Sequence, residues 1–367
     1  MSVNHIKWMS FAILQGFRSK GATGKNPPVG CVITKNDILL SYGRTGSTGR
    51  PHAEEDAIAK IVDKKSLIGS TMYVTLEPCA HKNNSGPSCA EQICKSGIKD
   101  VFVGCIDPDP RTNYNGIKLL KKKEIIVHEN FMNNKASKLY DGFFSRILKN
   151  RPFITLKIAC SLDGKIALKN NKSKWITNEL SRSYAHFLRS QNDAIMTSSA
   201  TILNDNPRMD CRLNGLEKRS PTKIILDRYL KIPSNYNIYN SSTNNDIFLY
   251  SLSEMKQHLT ENKYIKKILV DKKLNDEDFF NFIFNDLACR GINNLLIETG
   301  SIINTILLSL KLVDQIVIFR SGNIIGNDGL PFVNNLNFKK LDELSNYKIS
   351  SSKTFENDTL EIRNLIH

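Results

Sequence analysis

The amino-acid sequence predicts a two-domain α/β protein. Its 367 residues exceed what one hydrophobic core usually organises. Along the chain, strand-like apolar runs alternate with segments of helical periodicity. That pattern breaks at Lys149-Asn150-Arg151-Pro152, a charged stretch ending in proline, and restarts at once with Phe153-Ile154-Thr155-Leu156-Lys157-Ile158. The expected division is residues 1–148, a linker at 149–152 in a boundary segment that begins near Asp141, and residues 153–367.

Composition narrows the class. A hydrophobic content of 40% with 24% charged residues describes a soluble globular chain. No apolar run is long enough to span a bilayer, and Met1 to Lys20 lacks the apolar core of a signal peptide, so the expected location is the cytoplasm, with no membrane partner. Eight cysteines are too sparse here for a disulfide scaffold, which favours metal or thiol roles. The formal charge is +15, but the lysines are scattered and accompany a general richness in Asn and Ile. We read no nucleic-acid patch in it; anionic, phosphorylated small molecules suit it better.

In the first domain, Ile6, Met9, Ile13 and Phe17 recur at helical spacing, and Gly21 ends the run. Val29 to Ile33 is a strand, Lys35-Asn36-Asp37 a polar turn, and Ile38 to Leu40 the hairpin partner. After a glycine-rich loop, Gly43 to Arg50, the stretch Pro51-His52-Ala53-Glu54 opens a helix carrying Ala57, Ile58 and Ile61. Thr71 to Leu76 is a buried strand, Cys89 opens another helix, and Val101 to Ile106 is the next strand. Both ligand-bearing segments therefore meet helix N-termini, where the dipole helps hold Cys79 and Cys89 as thiolates.

His52, Cys79 and Cys89 together supply the three nitrogen and sulfur ligands that a catalytic zinc takes, with a fourth position left for water. Glu54, two residues from the histidine, is then the group to move protons between that water and a leaving amine. Zinc deaminases of nucleobases carry the related pattern His-x-Glu…Pro-Cys-x-x-Cys. Here nine residues rather than two separate the cysteines.

The second domain starts with the strand from Phe153 and a tight Asp163-Gly164 turn. Thr177 or Asn178 can cap a helix in which Leu180, Tyr184, Phe187 and Leu188 share one face. Two strands then run into small residues: Asp193 to Thr201, followed by Asn204-Asp205-Asn206-Pro207, and Leu295 to Ser301, followed by an apolar helix from Ile302 to Leu310. Such turns let backbone N–H groups approach a phosphate. No Gly-x-Gly-x-x-Gly fingerprint occurs, so a Rossmann dinucleotide site is not supported.

Residues 1 to about 147 resemble the deaminase half of the RibD family of bifunctional riboflavin-biosynthesis enzymes. The matching residues are Asn26-Pro27-x-Val29-Gly30, His52-Ala53-Glu54, Thr75-Leu76-Glu77-Pro78-Cys79-x-His81, Cys89 and Asp107-Pro108-x-Pro110, and the long cysteine spacing belongs to this family. The resemblance implies a cytidine-deaminase-like α/β/α domain with one zinc on His52, Cys79 and Cys89, Glu54 as its catalytic residue, and Asn26, His81 and Asp107 facing the substrate. Two departures stand out: the loop 83–88 lacks the basic residue expected to meet the substrate phosphate, and Asp109 stands where Asn is expected.

Residues 152 to 367 resemble the family's reductase half, a dihydrofolate-reductase-like α/β domain that binds NADPH. The match runs through Leu156-Lys157, Ser161 to Lys165, Ser173-x-Trp175-Ile176-Thr177, Leu188-Arg189, Thr197 to Thr201, Asp205-Asn206-Pro207, Arg212 and Glu298-x-Gly300, with Thr299 where Gly or Ala is expected. By that resemblance Ala159, Trp175, Thr201, Asp205 and the turn Gly300, Ser301, Ile302, Ile303, Asn304, Thr305 and Ile306 line NADPH. Ser173, Arg189, Met209, Arg212 and Glu298 hold the substrate, with both arginines clamping its phosphate. Between Leu230 and Gly291 the sequence carries no motif.

The reading is a cytoplasmic bifunctional enzyme, a dimer or tetramer as in the family. It deaminates a diaminopyrimidine ribosyl phosphate and then reduces the ribosyl chain. Two other readings share parts of the pattern: a chain with only one active domain, and a zinc deaminase acting on nucleic acid. The second leaves Ser161–Lys165 and Ser173–Thr177 unexplained.

Overall fold

The structure is a computed structural model that describes residues 4–81, 86–239, 246–253, 263–337, 339–340 and 345–366. The chain forms two compact units, residues 1–151 and 152–367. No helix among the described residues is long and apolar enough to cross a membrane.

In the first unit α1 (His5–Ser19) starts where the Asn4 side chain accepts from the Lys7 N–H at 3.0 Å. The hairpin of β1 (Gly30–Lys35) and β2 (Ile38–Arg44) turns on Asn36 and Asp37, whose φ of 51° and 62° suits a two-residue connection between right-twisted strands. There follow α2 (Ala53–Ala59), β3 (Thr71–Leu76), α3 (Cys89–Ser96), β4 (Asp100–Cys105), α4 (Asn115–Lys122), β5 (Ile126–His128), α5 (Asn133–Ala136) and α6 (Asp141–Lys149). Among the described residues they build a five-stranded sheet of order β2-β1-β3-β4-β5, in which β3, β4 and β5 run parallel. Ile33, Val74, Val103, Ala57 and Ile93 are part of its apolar core.

The boundary segment expected from Asp141 differs in the structure. Residues 141–149 are α6, which packs Phe143 into the first unit's core, and Asn150 at φ 52° ends it. Short apolar spacing in a charged context hid this helix.

The second unit contains β6 (Phe153–Cys160), β7 (Lys165–Leu168), α7 (Glu179–Ser190), β8 (Ala194–Ser198), α8 (Ser199–Asp205), β9 (Thr222–Leu226), β10 (Ile247–Ser251), β11 (Ile265–Leu269), α9 (Asp276–Cys289), β12 (Asn294–Ile297), α10 (Ser301–Ser309), β13 (Gln315–Arg320), β14 (Gly329–Pro331), β15 (Tyr347–Phe355) and β16 (Asp358–Leu365). Among the described residues its main sheet has nine strands in the order β11-β10-β9-β8-β12-β6-β13-β16-β15, parallel from β11 to β13. Asn178 caps α7, accepting from Ser181 N–H at 2.9 Å. Its buried residues are Ser181, Ala185 and Ser190, with Tyr184 and Leu188 partly buried, whereas Leu180 is exposed. The inward stripe thus lies one position round from the one expected.

Parallel strands leave the sheet at one common edge, so the segments after β3, β4, β6, β8 and β12 carry the groups considered next. At one of them the backbones nearly touch. A Cβ on Gly116, at the start of α4, would lie 2.0 Å from the Pro78 carbonyl oxygen. Replacing Gly116 with Ala is expected to cost about 1–3 kcal/mol by overpacking. A thermal midpoint equal to the wild-type value would show that α4 does not press on the segment after β3.

Candidate active sites

His52 is the N-cap of α2, and its backbone N–H donates to Glu55 Oε2 at 3.2 Å, which sets the start of the helix. Cys79 follows the end of β3. The ten-position step to Cys89 is closed by α3, whose cap is a reciprocal pair: Ser88 N–H donates to Glu91 Oε2 at 3.0 Å, and Glu91 N–H donates to Ser88 Oγ at 3.2 Å. The first amides of α3 then turn toward Cys79. Cys89 N–H reaches Cys79 Sγ at 3.4 Å, and Ala90 N–H reaches the Cys79 carbonyl at 3.1 Å.

The three donor atoms lie within 4.8 Å of one another. His52 Nδ1 is 3.3 Å from Cys89 Sγ and 3.6 Å from Cys79 Sγ. A tetrahedral zinc with ordinary Zn–N and Zn–S lengths separates such atoms by about 3.5 Å, so this set fits zinc. Contacts with Cys89 and His52 pull the Cys79 thiol down to about 4. The thiol of Cys89 moves the other way, raised by the neighbouring Cys79 sulfur and by burial. Contacts within the cluster thus favour the Cys79 thiolate, while burial and the neighbouring sulfur oppose a second one at Cys89.

Glu54 is buried, and burial lifts its carboxyl to about 7 against the pull of His52. A carboxyl near neutrality both accepts and returns a proton. Asn26 donates through Nδ2 to the Gly49 carbonyl at 3.1 Å. Gly49 has φ 97°, and a Cβ there would lie 2.1 Å from that amide nitrogen, so only glycine suits the position. His81 Nδ1 lies 3.4 Å from Thr112 Oγ1. Asp107 accepts from Asp109 N–H at 2.8 Å and is raised by burial to about 7.

The sequence reading gave Glu77 no role of its own. Its carboxylate accepts from Asp107 N–H (3.4 Å), Tyr114 N–H (3.0 Å), Gly116 N–H (3.0 Å) and Ile117 N–H (3.3 Å). It thereby ties the segment that follows β4 to the Cys79 segment. Its donors come from residues 30 to 40 positions away, which local spacing cannot reveal.

In the second unit a cavity of about 1170 Å³ opens along the edge where β6, β8 and β12 end. Ala159, Trp175, Thr201, Asp205, Gly300, Ser301, Ile302, Ile303, Asn304 and Ile306 line it, as do Ser173, Arg189, Met209, Arg212 and Glu298. Thr305 is not on its wall: its hydroxyl donates to the Ser301 carbonyl at 2.6 Å and accepts from Asn334 N–H at 2.8 Å. Trp175, which as an isolated aromatic would be core, is 70% exposed on this wall with the Arg182 guanidinium 4.6 Å from its ring. Ser173 Oγ donates to Asp205 Oδ1 at 3.0 Å and joins two of the expected residues directly.

The expected arginine clamp is corrected here. Arg189 is spent on a partner: Nε and Nη2 each donate to a Glu298 oxygen at 2.9 Å, and Nη1 donates to the Asp210 carbonyl at 3.1 Å. Arg212 pairs with Asp210 but stays half-exposed. Lys157 Nζ lies 3.7 Å from Glu298 Oε2 and Arg208 Nε 2.9 Å from Asp210 Oδ2. Both cations line the cavity; Lys157 stood in the family match without a role, and Arg208 was not named. Although burial works against ionisation, Arg189 and Lys157 hold the Glu298 carboxyl down at about 2.

Residues 152–360 match the RibD C-terminal domain, and residues 2–105 match the cytidine and deoxycytidylate deaminase zinc-binding region. The riboflavin biosynthesis protein RibD of Buchnera aphidicola is 34% identical over 360 residues, covering 94% of each chain. The chain belongs to the RibD family. Two solved structures extend the likeness to the fold. Acinetobacter baumannii RibD has a TM-score of 0.87 at 28% identity. The Thermotoga maritima diaminohydroxyphosphoribosylaminopyrimidine deaminase/5-amino-6-(5-phosphoribosylamino)uracil reductase has 0.86 at 29%. Each comparison covers 98% of both chains. This RibD-family chain is thus a bifunctional enzyme of riboflavin biosynthesis, with a zinc-dependent cytidine-deaminase-like domain followed by an NADPH-using reductase domain. The departure at 83–88 lies partly outside the described residues.

The low Glu298 value has a consequence for stability. Because the folded carboxyl titrates near 2 and an ordinary one near 4.5, its ionisation stabilises the fold fully above pH 4.5 and is lost as pH falls toward 2. The contribution is about 3 kcal/mol. Amide exchange in β12, corrected for intrinsic rates, is expected to show a protection gap between wild type and Glu298→Gln that narrows from pH 6 to pH 3. A constant gap would remove the ionised pair as its source.

Proposed function

We propose that the first unit hydrolyses the amino group of 2,5-diamino-6-ribosylamino-4(3H)-pyrimidinone 5′-phosphate, consuming one water and releasing one ammonia. The second unit then takes the deaminated product, adds hydride to the ribosyl C1 together with one proton, and yields 5-amino-6-ribitylamino-uracil 5′-phosphate. The observation that carries the first step is the buried Glu54 carboxyl, near neutral, beside a His52, Cys79 and Cys89 set of zinc-ligand dimensions. Zinc supplies Lewis acidity when bound, and NADPH supplies the hydride.

The chain's own residues do the rest. His52, Cys79 and Cys89 hold the metal, and Glu54 carries a proton from the attacking water to the departing amine. Asn26, His81 and Asp107 face the pyrimidine. In the second unit, Ala159, Trp175, Thr201, Asp205 and the α10 turn would hold the cofactor. Ser173, Met209 and Arg212 bind the ribosyl phosphate, while Arg189 acts by fixing the Glu298 carboxylate toward sugar hydroxyls. Each Glu298 oxygen keeps a second lone pair for that purpose. The resemblance also supports a cytoplasmic homo-oligomer, a dimer or tetramer, which sedimentation of the purified protein tests.

Glu54→Gln is expected to lower ammonia release by at least 100-fold, as loss of a general acid/base does, with zinc content retained. Release at the wild-type rate would refute the proton-carrying role. Absorbance in the NADPH band is expected to fall with either the diaminopyrimidine phosphate or its deaminated product. Oxidation with the deaminated substrate alone would leave the first unit without this activity.

A further inference from the structure

A phosphorylated substrate needs a cation in the first unit, and the described residues near the zinc ligands are rich in carboxyls: Glu54, Glu77, Asp107 and Asp109. The loop 83–88 lacks the basic residue that the family resemblance would place there. Among the described residues, Arg111 is an exposed cation close to residues read as facing the pyrimidine. Arg111 follows Asp107 and Asp109, its charge acts on Asp107, and the next residue, Thr112, contacts His81 at 3.4 Å.

The guanidinium is set in place. Asp109, itself 6% exposed, accepts from Arg111 Nε at 2.9 Å and Nη2 at 2.5 Å. Arg111 N–H also donates to Asp109 Oδ1, at 3.0 Å, so backbone and side chain are both fixed on one carboxylate. Yet 68% of the Arg111 side chain is exposed, so the guanidinium can also meet an incoming anion. A planar fork held from behind binds a phosphate without first being ordered. The rival cation, Arg50, lies beside His52 and is drawn to Glu55 at 3.2 Å.

We propose that Arg111, oriented by Asp109, is the phosphate-binding residue of the deaminase site. This rests on the reading of the first unit as a deaminase of a ribosyl phosphate. In that setting Asp109, where the family resemblance expects Asn, is the partner that positions Arg111.

The test uses the full-length zinc-loaded protein and ammonia release from the diaminopyrimidine ribosyl phosphate and from its dephosphorylated analogue. Arg111→Ala and Arg111→Gln are each expected to reduce the preference for the phosphorylated substrate, as kcat/KM, about tenfold, mainly through KM. Ribose 5-phosphate should inhibit wild type more strongly than either variant. Zinc content and NADPH oxidation with the deaminated substrate report that both units remain intact. An unchanged preference, or an equal loss with both substrates, overturns the assignment. So does a loss of preference in Arg50→Ala with none in the Arg111 variants. Wild-type protein that releases no ammonia from either compound sinks the deaminase reading, and the assignment with it, whereas the other outcomes touch Arg111 alone.

Discussion

Parallel strands must all end at the same edge of their sheet, and both units of this protein depend on that constraint. In the first unit it brings the segments after β3 and β4 side by side, so that Glu77 can gather four amides from the second while Cys79 stands two residues further along the first. In the second unit it aligns the ends of β6, β8 and β12, which supply Ala159, the Ser198 turn and Glu298 to one cavity. Helices then begin where strands stop, and their unpaired N–H groups meet the loops. The Cys79 segment is held by the first turn of α3 in just this way.

Within that frame, the surroundings of each carboxyl decide what it does. Glu54 and Asp107 are buried with too little opposing positive charge, so both are pushed up to about 7 and can exchange protons at neutral pH. Glu298 is also largely out of water, its side chain 13% exposed, but Arg189 and Lys157 keep it ionised as a fixed anion. Glu77 is raised by burial even though four N–H groups point at it, and its job is to hold two segments together. Four acidic side chains thus take three different parts.

Much of the site is written in local pattern. The hairpin at Asn36-Asp37, a cap at Thr177 or Asn178 and the turns from β8 into α8 and from β12 into α10 follow from short-range chemistry and were legible to within a few residues; Asn178 proved to be the cap, and α8 starts at Ser199, inside the stretch read as strand. The zinc set was legible too, because imidazole and thiol ligands at helix starts are a distinctive combination. Helix α6 was not, since nine residues with a charged surround give little periodicity to read. Nor was Arg208, which looks like an ordinary basic residue until the cavity places it.

The sequence by itself determined which chemical groups this protein has, where several of its helices and turns begin, and that His52, Cys79 and Cys89 are candidates for one zinc site. Only the tertiary structure decided which charges are paired and which stay open. Arg189, expected to grip a phosphate, is locked to Glu298 109 positions away. Turns and caps depend on neighbours a few residues apart. Ion pairing depends on which groups are buried against each other after the chain has closed, and that leaves no periodic mark on the sequence.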